Sequence, residues 1–168
     1  EALSKVGNID ALKGAKARVP ALWSVHRIPG KPARDAVRDF LKDENSDVRV
    51  AAIHSVALWF DTGAMEPLLD LLDTGDARER RLAAMALGRI GNSLAVKPLL
   101  EAGLQKTDPF LNHAITYALY EIGDEEGLPA GHPMTEQVMR MRKVDQRSPS
   151  KYVMPEIQLA DAVKPDAA

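Results

Sequence analysis

The sequence predicts an all-α fold, an α-solenoid in which helical hairpins stack in a line. Three observations carry that expectation. Slid against itself, the chain matches at a register of 31 residues. Within the matching segments apolar residues recur three and four apart, and short polar breaks, glycines and prolines mark the ends or first turns of those segments.

The register first defines one helix per unit. Arg18, Arg49 and Arg80 share a column, as do Ala21, Ala52 and Ala83, then Ser24, Ser55 and Ala86, then Val25, Val56 and Leu87, then Ile28, Trp59 and Ile90. With one residue inserted, Ile115, Ala118, Leu119 and Ile122 continue the series as a fourth copy. A second helix follows at the same spacing: Ala36-Val37, Pro67-Leu68 and Pro98-Leu99 coincide, then Asp39, Asp70 and Glu101, then Phe40, Leu71 and Ala102. Val50, Ile53, Val56 and Trp59 or Phe60 form the stripe that an amphipathic helix buries. A single hairpin cannot cover that stripe, so the next unit must, and stability then comes from nearest-neighbour contacts.

The breaks agree with this division. Asn45, Ser46 and Asp47 interrupt the pattern, with Asp47 expected as the N-cap of a helix opening at Val48. Gly91-Asn92 and Gly123-Asp124 follow first helices, where a residue able to turn left-handed ends a helix cheaply. Pro67 and Pro98 fall in the first turn of second helices, where a missing N–H costs little. Small residues in the Ala52 and Ala83 column allow close helix approach, and Trp23, Trp59, Tyr117 and Tyr120 are expected in core or groove packing.

The expected array covers residues 1–133, with units at about 16–46, 47–76, 77–108 and 109–133. Its first eight residues echo Met85 to Asn92, so the chain is expected to open inside another first helix. Gly127, Pro129, Gly131 and Pro133 interrupt the second helix of the last unit. A short helix from Met134 to Val144 follows, with Met134, Val138 and Met141 on one face, and Pro149, Pro155 and Pro165 mark an extended tail within 134–168. The apolar stretch Tyr152 to Leu159 in that tail is suited to docking. A chain starting at Glu1 rather than methionine is expected to be a fragment of a larger multidomain protein.

Composition narrows the function. At 45% hydrophobic and 27% charged residues the chain fits a soluble globular domain, and no apolar run approaches the roughly 20 residues that span a bilayer, so no membrane insertion is expected. A formal charge of −2 offers phosphate backbones no attraction, so no nucleic-acid partner is expected. Without cysteine there is no thiol chemistry, and the compartment stays open.

Candidate chemistry is sparse. Ser24 and Ser55 sit in a small-residue packing column, and no phosphate-binding glycine loop exists. The histidines are His26, His54, His113 and His132; a metal site from His54, His113 and a carboxylate would need ligands to converge, so they are expected to be satisfied or exposed. The ordered polar feature is a pair of columns, Arg18, Arg49 and Arg80 against Asp39, Asp70 and Glu101, with an acid ten residues before the next arginine. Arg78, Glu79, Arg80 and Arg81 are expected as a solvated helix start.

The stretch Arg80-Arg-Leu-Ala-Ala-Met-Ala-Leu-Gly-Arg-Ile-Gly91 resembles the short bacterial HEAT-like repeat named for phycobilin lyases, and the units at Val48 and Asn112 resemble it more loosely. The resemblance covers roughly residues 16–126 and implies a right-handed superhelix of HEAT-like hairpins, with armadillo-like stacking. It also implies that the Arg and Asp/Glu columns bridge neighbouring units, which makes them a structural ladder before a binding site. HEAT-like iron hydroxylases hold metal through His-Glu pairs, whereas here His54 precedes Ser55 and His113 precedes Ala114.

Ala21-Leu-Trp23 and His113 to Gly123 are similar to HEAT segments of large bacterial proteins that join a dehydrogenase-like propeller to a cytochrome c domain, though the haem-attachment motif is absent. The function expected is a non-enzymatic scaffold without cofactor or catalytic residues, whose second-helix face grips a protein partner or a neighbouring domain of its parent chain. The alternatives are a spacer in a haem-containing dehydrogenase-like protein and a bilin-lyase-like chaperone.

Overall fold

In the computed structural model, residues 17–105 and 108–147 are described, and they form eight α-helices: α1 (Arg18–His26), α2 (Lys31–Phe40), α3 (Ser46–Leu58), α4 (Met65–Thr74), α5 (Ala77–Ile90), α6 (Val96–Leu104), α7 (Pro109–Ile122) and α8 (Pro133–Arg147). No strand occurs among the described residues. The echo at residues 1–8 and the tail segment 152–159 lie outside them. Each helix falls where the 31-residue register puts it, so the fold is an all-α solenoid.

First helices run in series, α1 against α3, α3 against α5 and α5 against α7. Two second helices lie mainly against the first helix of the unit that follows, α4 on α5 and α6 on α7, while α2 packs on both α1 and α3. The register columns fill the seams. Ala21, Ala52 and Ala83 are buried, as are Val25, Val56 and Leu87, and Leu68, Leu99, Ile115 and Leu119 complete one continuous core. The last unit is capped by α8, which packs on α7 and buries Met134 and Val138, with Met141 half-buried on the same helix.

Local chemistry decides the helix ends. Asp76 and Glu79 form a reciprocal capping box at α5, and the Asp108 carboxylate accepts the Leu111 N–H at α7. At α3 the cap differs from expectation: Asn45, not Asp47, is the N-cap, accepting the Asp47 N–H while the helix begins at Ser46. Asn45 wins because it stands one residue before the first helical backbone, the only place from which a short side chain reaches the orphan N–H groups. Gly91 and Gly123 end α5 and α7 at φ 71° and 74°, as their placement predicts.

In the second unit the equivalent place holds Phe60. Trp59 is the C-cap of α3 rather than part of its stripe, and Phe60 turns left-handed at φ 52° with its ring 57% exposed. The Asp61 N–H returns to the Val56 carbonyl, so the terminating geometry is kept although the residue type is unsuited to it. After each of these ends an Asx turn starts the next element. Asp61 accepts from Gly63, Asn92 from Leu94 and Asp124 from Gly127.

Gly88 sets the closest seam. A Cβ there would stand 2.6 Å from the Ala118 Cα, so α5 and α7 approach to backbone distance only because residue 88 has no side chain.

Candidate functional site

In the arginine column Arg49 and Arg80 bridge units while Arg18 pairs within its own, through partners other than those the spacing suggests. Arg18 meets Asp43 at 2.7 Å, in the loop after α2, and Arg80 donates to the Gln105 side chain at 2.9 Å in the equivalent loop after α6. Arg80 also donates to the Leu72 carbonyl at 2.8 Å. Arg49 reaches both ways, donating to the Asp43 and Glu44 carbonyls and, through Nε and Nη2 at 2.8 and 2.7 Å, to Glu79. The acid column takes no part in these bridges: Asp39 and Asp70 are exposed on α2 and α4, and Glu101 lies 3.9 Å from Lys97 on its own helix.

Glu79 is the junction that sequence reasoning missed. It is 1% exposed, so the cluster at Arg78–Arg81 is not a solvated helix start. Its Oε1 accepts from Arg49 and from the Ser46 hydroxyl at 2.8 Å, and its Oε2 accepts the Asp76 N–H at 3.0 Å. The Asp76 carboxylate in turn accepts the Glu79 N–H at 2.9 Å, and this hydrogen bond foremost, with those from the Ser46 hydroxyl and the Arg78 N–H, holds the Asp76 carboxyl below the usual carboxylate range. The box sequence Asp76-Ala-Arg-Glu79 is the signal that could have placed Glu79 inward; its pairing with Arg49 depends on how two units meet, which the spacing does not encode.

A second buried bridge is bidentate. Arg38 of α2 donates Nε and Nη2 to the two Asp61 oxygens at 2.8 and 2.6 Å, and this hydrogen bonding raises its guanidinium pKa further. It ties the first unit to the turn that opens α4.

The histidines separate. His26 shares a 2.7 Å hydrogen bond with the Ser55 hydroxyl and stacks on Trp59 with centroids 4.5 Å apart, and burial lowers its pKa. Ser55 is fully buried, so no substrate reaches its oxygen, and Ser24 bonds to the Pro20 carbonyl of its own helix. His54 and His113 are exposed on α3 and α7, helices that flank α5 on opposite sides. His132 accepts the Met134 N–H at the start of α8. No group of three metal-ligating side chains occurs among the described residues.

Grooves open around His26 and Trp59, beside α4 on the second-helix side, and on the outer face of the first helices, where the walls are most apolar. A groove of about 430 Å³ between α5 and α7 is lined by Arg81, Met85, Phe110, His113, Ala114 and Tyr117. A narrower one of about 100 Å³ between α3 and α5 brings in Ala57, Leu58 and Arg89, and Met85 lines both. Leu58, Met85, Phe110 and Tyr117 are exposed here, so Tyr117 and Met85 furnish a groove rather than a core. Arg89 stands 5.7 Å from the centre of the exposed Phe60 ring. Burial raises the Glu121 pKa at one edge, opposed by the charge of Arg89.

Second helices present a different surface. Lys31 and Arg38 flank Asp35, and Lys97 faces Glu101, so their charges are neutralised along the same helix.

Stacked helix pairs with a small-residue seam and an arginine bridge between units define a HEAT-like helical repeat protein. A family model for HEAT repeats matches residues 65–130. Over 51 residues the chain is 41% identical to phycocyanobilin lyase subunit alpha of Picosynechococcus sp., a stretch amounting to 30% of this chain and 19% of that one. Human deoxyhypusine hydroxylase, solved in complex with glycerol, superposes with a TM-score of 0.61 at 20% identity, over 79% of this chain and 51% of the other. That likeness shows the fold alone. The chain thus spans about a fifth of the lyase subunit and about half of the hydroxylase. No helix among the described residues is long and apolar enough to cross a membrane.

Proposed function

We propose that this chain is a non-enzymatic interaction module that holds a protein segment or a neighbouring domain of its own parent chain against a rigid helical stack. One observation carries the reading: large apolar side chains, Phe110 at 69% exposed among them, gather on the first helices beside grooves, while the buried carboxylates Asp61 and Glu79 are engaged in joining units. Repeat stacks suit this task because their continuous core keeps such a surface in place. The expected second-helix face is the weaker candidate for an apolar partner, since its groove beside α4 is lined by Lys42, Asp43, Arg49, Asp70 and Glu79.

The test is affinity capture by the full chain from an extract of its source cell, with excess free chain as competitor. A partner held at constant stoichiometry and displaced by the competitor supports the reading. Absence of any displaceable protein overturns it.

A bilin-lyase-like role is the second reading, favoured by the 41% identity to a phycocyanobilin lyase subunit. Titrating phycocyanobilin into the full chain separates the two. A saturable change in the pigment's visible absorption favours the lyase-like role, and an unchanged spectrum removes it.

A further inference from the structure

We infer that the first-helix face binds an acidic amphipathic helix laid across α3, α5 and α7, with its apolar side chains seated in the two grooves on either side of Met85. The inference rests on the interaction-module reading and adds to it which face binds and what chemistry the partner has.

Charge selects the sign of the partner. Neither groove has a carboxylate in its wall, whereas Arg81 lines one and Arg89 the other. Arg81 has no ion pair among the described residues. On these helices Asp47 pairs with Arg78 at 3.1 Å and Glu121 stands beside Arg89, so Arg81 carries the positive charge left for a partner. His54 and His113 add donors and no negative charge. A segment carrying Asp or Glu around an apolar stripe is therefore complementary, and a basic one is repelled.

Geometry selects a helix. The face is all helical and offers no strand edge, and its apolar grooves lie between successive helices, an arrangement that suits helix-in-groove recognition. Packed helices lie about 8–10 Å apart, and residues i and i+7 of an α-helix are separated by about 10.5 Å, so a crossing helix drops side chains seven apart into successive grooves. Met85 lies between those grooves and lines both, and its unbranched side chain can adjust to either. The 430 Å³ groove suits a large side chain and the 100 Å³ groove a small one, so the two anchors are unequal.

The experiment is a selection of displayed, helix-forming peptides of about four turns against the full chain, repeated with Met85→Asp and with the pair Arg81→Glu and Arg89→Glu. These positions are at the surface, and circular dichroism and thermal melting verify that the variants fold. Enriched sequences are expected to carry apolar residues at i, i+3 or i+4 and i+7 flanked by Asp or Glu. A labelled representative should bind Met85→Asp at least tenfold more weakly, and the arginine reversal should switch enrichment toward basic sequences.

Basic or neutral winners from the unaltered chain overturn the inference, as does affinity that survives Met85→Asp. If that surviving affinity falls instead with Arg34→Glu or Lys97→Glu, the interaction-module reading stands and only the face is wrong. Enrichment of nothing overturns the inference, while the interaction-module reading stands or falls with the affinity capture. A dimer in sedimentation that Met85→Asp dissociates also overturns the inference, because the occupant is then a second copy.

Discussion

Phe60 holds a left-handed backbone that the 31-residue register gives to glycine in the next unit, Gly91. A side chain in that region costs on the order of 1–2 kcal/mol, part of which glycine returns through its freer unfolded chain. Phe60→Gly should therefore stabilise the fold by about 0.5–1 kcal/mol, seen as a rise in thermal midpoint of about 1–4 °C. An unchanged or lowered midpoint would mean that the ring's contact with Arg89 outweighs the strain. His26 gives a pH signature. Burial lowers its pKa below the ordinary 6.5, so below that pH the unfolded chain binds more protons than the folded one and stability falls with falling pH. His26→Gln removes this titration. The advantage of the parent over the variant should shrink as pH drops from 7 to 5 in denaturant titrations, and a constant difference would contradict the burial of His26.

The elements are joined by two kinds of contact, ionic at helix starts and steric at seams. Glu79 serves the α5 capping box, Ser46 and Arg49 at once. Glu79→Ala should cost about 3 kcal/mol, the low end for breaking a buried pair, because Arg49 keeps the Asp43 and Glu44 carbonyls. Urea unfolding measures it, and a loss under about 1 kcal/mol would reduce the pair to a surface one. Gly88→Val tests the seam. The β-branched side chain would meet the Ala118 backbone, so α5 and α7 must separate, at a cost of about 2–3 kcal/mol. A variant as stable as the parent would show that the helices need not approach so closely.

At the scale of the whole molecule, the order of the helices and the identity of the core could be read from the chain. Columns such as Ala52 and Ala83, or Val56 and Leu87, repeat because each unit presents the same stripe to the same neighbour. The ladder acids could not be read in that way. Asp39 and Asp70 repeat in sequence yet are exposed, whereas the acids Asp43 and Glu79 do not recur as acids in the register and are buried. Their places follow from how loops of consecutive units meet, a three-dimensional fact that one-dimensional spacing leaves open. The stacked His26 and Trp59 rings were hidden for the same reason, since each belongs to a different unit. Nearest-neighbour coupling also predicts a gradient of opening. Amide exchange should be slowest in α5, which packs on α3, α4 and α7, and faster in α1 and α8 at the ends of the described stack. Uniform protection would indicate a single cooperative core.

The second helices α4 and α6 lean on the first helix of the following unit more than on their own partner, and this has a consequence for how such a chain can be cut or lengthened. The brick that coheres in space runs from a 3-10 turn, at Thr62–Ala64 or Ser93–Ala95, to the glycine or phenylalanine corner after the next long helix. Gene duplication or protein shortening with breakpoints at those corners would add or remove a whole course of the wall. A breakpoint at the Gly75–Asp76 loop would split one brick and leave two raw surfaces.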